Sequence, residues 1–456
     1  MTYFYGKTVV VVGLGRSGQG VIKALLAQGA TVYGWDDLPE ARAALAAPAQ
    51  ELPQQFNWAQ ADAVVVSPGI AIYGPLQNPL IAQAQLAGVP LWGDVDLLYV
   101  ARPDARYVGI TGTNGKSTTT CLIAHLLRCA GMPLAVGGNL GVPAPALPQV
   151  PQGGTYVLEM SSYNLDLRRH VIFNVAVFLN LTPDHLERHG TMARYYEAKM
   201  KIFADQHPGD VAIVAIDDAY GQQACAWLRQ HGRSQVIAIS SAWNEAADLC
   251  VDSDGWLVRR DAQGWQRLVY LPELSRLRGR HNWQNVAASV AVALTYGMAP
   301  SQLTHSVQTF LGVPHRQEHV ATWQGIEFIN DSKATNVEAV LKAIEAFDKI
   351  YWIAGGRPKQ GDDITQVLQY RSRLKGAFLI GEAMEMFATA LAPQLPVYRC
   401  ESLERAVREA TAAAQRDGGG TVLLAPACAS WDQFRNFEER GEQFINIVRA
   451  MTEAED

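Results

Sequence analysis

The sequence lacks several features, and each absence excludes something. Its six cysteines (Cys121, Cys129, Cys225, Cys250, Cys400 and Cys428) are scattered over 456 residues with no C-x-x-C pair. That argues against a disulfide framework or a cysteine zinc site and leaves reduced core thiols. No apolar run approaches the roughly 18 residues needed to cross a bilayer. The opening "MTYFYGKTVVVVGLG" has a four-valine run stopped by glycine, which reads as a buried strand and is too short for a signal peptide. Neither sign of charge dominates: 38 Lys and Arg stand against 44 Asp and Glu, net −6, so there is no basic footprint for nucleic acid. Repeats and low-complexity tracts are missing too. These absences lead us to expect a cytoplasmic globular protein with neither a membrane nor a nucleic-acid partner.

What is present is an α/β pattern that restarts three times. With 48% hydrophobic and 18% charged residues the composition is ordinary, and the length suits two to four domains. The first segment has strands at Thr8–Val12 and Thr31–Trp35 and a further apolar run in "ADAVVVSPG". The second carries "ARYVGIT", "TYVLEM", "NVAVFLN", "DVAIVAI" and "SQVIAIS", and the third "IEFIN", "KIYWIAGG", "GAFLIG" and "TVLLAPA". Apolar strands alternating with amphipathic helices predict parallel sheets covered on both faces. The expected domains are 1–94, 95–312 and 313–456.

The stretch "VGITGTNGKSTTT" almost fits the phosphate-loop pattern G-x-x-x-x-G-K-[ST]. Gly115-Lys116-Ser117 supplies its second half, but Ile110 stands where the first glycine belongs, and Gly112 comes two residues late. A strand running into glycines and then a helix still gathers free backbone N–H groups and a helix dipole around a phosphate. The expectation is a shortened nucleotide loop over Gly112, Thr113, Asn114, Gly115, Lys116, Ser117 and Thr118. Lys116 would face the β/γ oxygens, and Ser117 or Thr118 would place a hydroxyl on Mg²⁺.

A second loop, "GLGRSG" at Gly13–Gly18, is a full G-x-G-x-x-G after a strand, with Asp36 closing the next strand. By itself this reads as a dinucleotide fingerprint and supports a rival reading, an NAD-dependent oxidoreductase. Two nucleotide-type loops in separate segments fit better if one holds ATP and the other a nucleotide-tagged substrate. Glu159 ends a strand, where a carboxylate could hold Mg²⁺ beside the phosphates or simply be a surface acid. "NLTPDHLERHG" adds Asp184, His185, Glu187 and His189 at another strand end. Lys199, on the helical stretch "TMARYYEAKMKIF", reads from periodicity alone as a solvated surface lysine. Asp331, Lys333, Thr335, Arg357 and Lys359 sit in loops after strands of the third segment, which suits carboxylate recognition or ordinary polar loops.

Taken together and in order, "SPG", T-G-T-N-G-K-S-T, "LEMSSYNL", "NLTPDHLERHG", "YYEAKMKIF", "GRHNWQN", "PHRQE" and "NDSKATN" resemble the ATP-dependent Mur ligases of peptidoglycan synthesis, over nearly the whole chain. The late "APACASWDQFRNFEERG" resembles the branch that adds D-glutamate. The resemblance implies a three-domain α/β fold: a Rossmann-like N-terminal domain, a central P-loop-type ATPase domain and a Rossmann-like C-terminal domain. It implies that GLGRSG serves UDP-sugar phosphates rather than NAD, with Gly15, Arg16, Ser17, Asp36, Asp37, Ser67, Pro68 and Gly69 on the UDP substrate. Asn139 and His185 would hold the muramoyl-alanyl end. By match, Asn282, Asn285, Arg316 and Asp331 join the ATP site, and Lys333, Thr335, Lys359, Ser430 and Phe437 bind D-glutamate. Lys199 matches the family's carbamylated lysine, so that Ser117, Glu159, His185 and Lys199 would hold two Mg²⁺, and Lys116, Glu159, His185 and Lys199 would be catalytic. The implied chemistry joins D-glutamate to UDP-N-acetylmuramoyl-L-alanine through an acyl phosphate, in a monomer. Two positions depart from the family pattern. Gly355-Gly356-Arg357-Pro358-Lys359 has a cation where relatives often carry a carboxylate, and Asp36-Asp37-Leu38 lacks the expected hydroxyl and arginine.

Overall fold

In the computed structural model the described residues are 3–274, 276, 277, 279–358 and 362–453. They form three sheets distributed over two compact units, residues 1–310 and 311–456.

The first unit begins with five parallel strands: β1 (Thr8–Val12), β2 (Thr31–Trp35), β3 (Gln50–Glu51), β4 (Ala63–Val66) and β5 (Leu91–Trp92), in the order β3-β2-β1-β4-β5. In β1, Val9 and Val11 pack with Ile22 and Leu25 on one face, and Val10 and Val12 with Val64 and Ile81 on the other. A strand covered on both faces needs an apolar residue at every position, which is why the run is unbroken valine. Strand order reverses between β1 and β4, so the turn after β1 and the Ser67 loop after β4 meet at the switch point where such sheets take ligands.

The second sheet of this unit has nine strands: β6 (Arg106–Thr111), β7 (Leu134–Gly138), β8 (Thr155–Glu159), β9 (Val175–Phe178), β10 (Val211–Ala215), β11 (Gln235–Ile239), β12 (Leu249–Val251), β13 (Trp256–Asp261) and β14 (Gly264–Tyr270). Their order is β14-β13-β12-β11-β10-β9-β6-β8-β7, parallel as far as β12 and antiparallel through β13 and β14. The helices Lys116–Cys129 and Arg280–Thr295 pack side by side against Val108, Ile110, Val157, Val175 and Val177. The opposite face is closed by Tyr107, Tyr156, Phe173, Phe178 and Tyr195.

Buried polar ties join the two sheets into one unit. The Asp96 carboxylate accepts from the N–H groups of Arg169, His170 and Val171 at 2.9, 2.7 and 2.8 Å. The Tyr73 hydroxyl donates to Asp166 at 2.5 Å.

The second unit holds β15 (Glu318–Trp323), β16 (Ile326–Asn330), β17 (Ile350–Gly355), β18 (Leu374–Ile380), β19 (Val397–Glu401) and β20 (Gly420–Leu424), in the order β15-β16-β20-β17-β18-β19. Only β15 runs antiparallel to its neighbour. Trp352, Leu379 and Leu423 fill one face, and Tyr351, Ile353, Phe378 and Leu424 the other. Among the described residues no helix is long and apolar enough to cross a membrane.

Candidate active site

The phosphate loop connects β6 to the helix Lys116–Cys129. Its missing early glycine has a packing reason: Ile110 is still a core residue of β6, paired with Glu159 on β8 and Val177 on β9. The chain leaves the sheet only at Gly112, so the loop is two residues shorter. Gly115, the residue before the helix, sits at φ +83°, and a Cβ there would lie 2.3 Å from Asn285 Oδ1. No side chain caps this helix, which leaves its first N–H groups available to an anion. Lys116 Nζ folds back on the loop and donates to the carbonyls of Gly112 and Thr113 at 3.0 and 2.8 Å.

Two neighbouring elements hold the loop. Asn180, just past β9, accepts from Thr113 N–H through its carbonyl at 2.9 Å and from Asn114 N–H through Oδ1 at 2.8 Å. From the helix Arg280–Thr295, Asn285 Oδ1 accepts from the Thr119 hydroxyl at 3.2 Å, and its Nδ2 donates to Asn282 Oδ1 at 3.1 Å. Asn282 and Asn285 therefore stand at this loop, while Thr118 lies half-buried in the first helical turn. Sequence reasoning did not single out Asn180, although it opens the stretch "NLTPDHLERHG" two residues past β9.

Glu159 is not a surface acid. It is 3% exposed at the end of β8, with Oε2 accepting from the Ser117 hydroxyl at 2.7 Å and Oε1 from Asn139 Nδ2 at 3.0 Å. Lys199 overturns the expectation that periodicity gave. It is 1% exposed, and its Nζ donates to Gly112 O at 2.7 Å above the Tyr195 ring. Periodicity identified its helix but could not show that this face is covered by the phosphate loop. Burial, and then the positive charge of Lys116, hold the Lys199 amine well below the usual lysine range, against the pull of Asp184 and Glu159. A depressed amine is neutral more often, and therefore nucleophilic. His185 is half-exposed at φ +53°; its Nδ1 meets the Tyr163 hydroxyl at 3.0 Å, and its Nε2 lies 3.4 Å from Asp184. Tyr195, also missed from sequence, lies between these groups, its ring near His185 and its hydroxyl 3.3 Å from Thr113 Oγ1.

Among the described residues no three His, Cys, Asp or Glu side chains cluster as a ready-made metal site. The donor set nevertheless suits a hard divalent cation. Ser117 and Glu159 present oxygens together, and each Glu159 oxygen keeps a lone pair beyond the hydrogen bond it accepts. Lys199 as a plain amine adds no oxygen ligand.

At the other loop of this unit, Gly13 lies at φ +92° with Ser67 against it, and the Ser67 hydroxyl donates to Gly13 O at 2.8 Å. The helix Arg16–Ala27 starts at Gly15 without a side-chain cap. Asp36 is engaged by the backbone: Oδ2 accepts from Leu14 N–H at 2.7 Å and Oδ1 from Leu38 N–H at 3.0 Å. Asp36 thus fixes the glycine turn. Arg16 reaches Gly141 O at 3.3 Å, and the Ser17 hydroxyl donates to buried Asp94 at 2.7 Å. Asp37 and Gly69 are exposed, and Pro68 is half-buried.

In the second unit the loops after β16, β20 and β17 come together. Ala427 N–H donates to Ala334 O, Gly355 N–H to Pro426 O, and Arg357 and Ala429 exchange backbone bonds. Asp331 follows β16 and is buried, which pushes its carboxyl up to about 6 despite Arg316 and Lys333. Lys333 Nζ stands 5.8 Å from the Phe437 ring, and Ser430 is buried after β20. Thr335 is half-buried on the same loop. Arg357 makes a two-pronged ion pair with Glu382 at 3.0 and 3.2 Å, so the cation in this glycine turn has its own acid. Lys359 lies outside the described residues.

An uncapped glycine loop between a parallel strand and a helix, with a buried acid and a buried amine at its mouth, has the form found in nucleotide-binding α/β proteins of the phosphoryl-transfer kind. Family models match three successive stretches: a "Mur ligase MurD-like, N-terminal domain" over 7–93, a "Mur ligase middle domain" over 110–293 and a "Mur ligase, glutamate ligase domain" over 315–428. The chain belongs to the Mur ligase family. The UDP-N-acetylmuramoylalanine–D-glutamate ligase of Paramagnetospirillum magneticum is 45% identical over 451 residues, covering 98% of this chain and 97% of its own. That of Rhodospirillum rubrum is 45% identical over 461 residues, covering 98% and 95%. Among solved structures, UDP-N-acetylmuramate–alanine ligase MurC from Thermotoga maritima aligns with TM-score 0.54 at 18% identity, covering 98% of this chain and 100% of that one, a likeness of fold.

Proposed function

We propose that the chain is an ATP-dependent carbon–nitrogen ligase that joins D-glutamate to the L-alanyl carboxylate of UDP-N-acetylmuramoyl-L-alanine, in the cytoplasmic stage of peptidoglycan precursor synthesis. The observation that carries this reading is the buried Lys199 amine at 2.7 Å from Gly112 O, on a phosphate loop whose Ser117 is tied to Glu159. The full-length likeness to two D-glutamate ligases supports the choice of substrates.

A free carboxylate is a poor acyl donor. In this reading the alanyl carboxylate attacks the γ-phosphorus of ATP, the bond to ADP breaks, and an acyl phosphate forms. The amine of D-glutamate, having lost a proton, then attacks the acyl carbon, and the tetrahedral intermediate expels phosphate to leave an amide. Lys116 and the uncapped amides of the loop stabilise charge on the moving phosphoryl group, the dominant contribution in such chemistry. Gly112–Thr118, Asn282, Asn285, Arg316 and Asp331 are the ATP-binding set. The turn at Gly15, Arg16 and Ser17, with Asp36, Asp37, Ser67, Pro68 and Gly69, takes the UDP moiety, and Asn139 and His185 the muramoyl-alanyl end. Lys333, Thr335, Lys359, Ser430 and Phe437 receive D-glutamate.

Lys199 acts as a carbamate. The neutral amine adds to CO₂ and releases a proton, replacing a cation with an anionic oxygen ligand; its burial and depressed pKa favour that addition. Ser117, Glu159, His185 and the carbamate would then hold two Mg²⁺, which supply Lewis-acid charge neutralisation at the phosphates. We assign the chain three domains, 1–94, 95–312 and 313–456, and a monomeric state.

An acceptor screen tests this reading. With ATP, Mg²⁺ and UDP-N-acetylmuramoyl-L-alanine present, phosphate release should require D-glutamate and should not occur with L-lysine, diaminopimelate or L-glutamate. Turnover with another amine, or binding of NADH at the glycine turn, would overturn it.

A further inference from the structure

Arg440 lies in the first turns of the helix Phe437–Glu453 and is fully buried. Its Nε donates to Ser332 Oγ at 3.0 Å, and its Nη2 donates to Ser332 O at 3.0 Å and Cys428 O at 3.2 Å. The Ser332 hydroxyl in turn donates to Phe437 O at 2.8 Å. One guanidinium therefore clamps the loop after β16, the loop after β20 and the start of its own helix. In the chain Lys333 directly follows the clamped Ser332, Ser430 lies two residues beyond the clamped Cys428, and Phe437 is itself part of the clamp.

This arrangement is costly as structure alone. A buried charge is stable when paired with an opposite one. Yet among the described residues every group that Arg440 bonds is a neutral oxygen, and its buried Nη1 has no partner. Nη1 faces Gly356, where a Cβ would come within 3.2 Å of it and within 2.3 Å of Ala429 O. Burial lowers the guanidinium only to about 10, so it keeps its charge at neutral pH. Cys428 and then Asp432 oppose that lowering, but among the described residues neither forms an ion pair with it.

We propose that Arg440 is the positioning residue that makes the acceptor site selective for an acidic amino acid: it sets Lys333, Ser430 and Phe437 in place, and its charge, held by neutral oxygens, favours the acceptor's side-chain carboxylate over a neutral side chain. This rests on the reading of these loops as the D-glutamate site. Arg440 does not touch the acceptor; it acts through the loops it holds and through its field, which is strong where water is excluded.

The test compares D-glutamate with D-glutamine in the full chain. Arg440→Met removes the charge, Arg440→Lys keeps the charge but loses the fork, and Ser332→Ala loosens the clamp with the charge intact. In Arg440→Met the kcat/KM preference for D-glutamate over D-glutamine should fall at least about tenfold, with the KM for ATP within about twofold of wild type. Arg440→Lys and Ser332→Ala should raise the KM for D-glutamate while keeping most of that preference.

A folded Arg440→Met with an unchanged preference would overturn the inference. Should that variant not fold, the other two decide: if they leave the KM for D-glutamate unchanged, or move all three substrate KM values together, Arg440 has no selective role. Wild-type protein inert toward D-glutamate would instead sink the acceptor assignment, and this inference with it.

Discussion

The Ser117 hydroxyl donates to Glu159 Oε2 at 2.7 Å, linking the first turn of the helix after β6 to the end of the adjacent strand β8. In the proposed function this hydroxyl and carboxylate would begin a divalent-cation site. Glu159→Gln keeps the shape and the contact with Ser117 but removes the charge. Single-turnover ADP formation should fall by roughly 100-fold or more, with little change in melting temperature. A wild-type rate would mean that this acid holds no metal.

Lys199→Ala should abolish turnover, and short carboxylates added to the buffer should restore part of it by replacing the carbamate oxygens. Wild-type protein incubated with ¹³C-bicarbonate should show a carbamate carbon resonance that the variant lacks. Near-normal activity of Lys199→Ala in bicarbonate-free buffer would remove the carbamate from the account.

Gly115→Ala tests the tightness of the cradle. The position combines φ +83° with Asn285 Oδ1 at 2.3 Å from any Cβ, whereas Gly131, at φ +74°, has open space around it. Gly131→Ala should therefore cost only the backbone term, about 1–2 kcal/mol. Gly115→Ala should cost more in thermal unfolding and also weaken ATP binding, which titration calorimetry would measure. Equal effects of the two substitutions would contradict the close approach of Asn285.

Asp331 gives a pH dependence. Burial holds its carboxyl up to about 6, above its unfolded value of 3.8. Between these values the folded state binds more protons than the unfolded one, so this group's contribution to stability falls as pH rises through the window and stays low above it. The cost at neutral pH is on the order of 3 kcal/mol. Asp331→Asn should thus gain melting temperature over wild type from pH 4 to pH 6, with the gain flat above 7. A difference independent of pH would show that the carboxyl is not perturbed.

The strands were legible because sheets buried on both faces need apolar residues at every position, as in Val9–Val12. The glycine turns were legible because only glycine serves there. The hairpin of β13 and β14 escaped because it is an edge with an exposed face, where Arg259, Arg260 and Gln266 dilute the apolar signal. Lys199 could not be read as buried from its own helix, since periodicity gives the face and not what covers it. Arg440 and Asn180 work through partners up to 108 residues away in the chain, as with Arg440 and Ser332, a distance at which local pattern carries no information. The roles of Lys333, Ser430 and Phe437 came from resemblance, not from any property of the loops.

The most direct measurement follows an oxygen atom. With ¹⁸O in the alanyl carboxylate of UDP-N-acetylmuramoyl-L-alanine, activation by ATP moves one labelled oxygen into phosphate for each amide formed. Released phosphate carrying one ¹⁸O per product, in a reaction that requires D-glutamate, is the predicted result. Unlabelled phosphate alongside normal product would contradict the acyl phosphate on which the account depends.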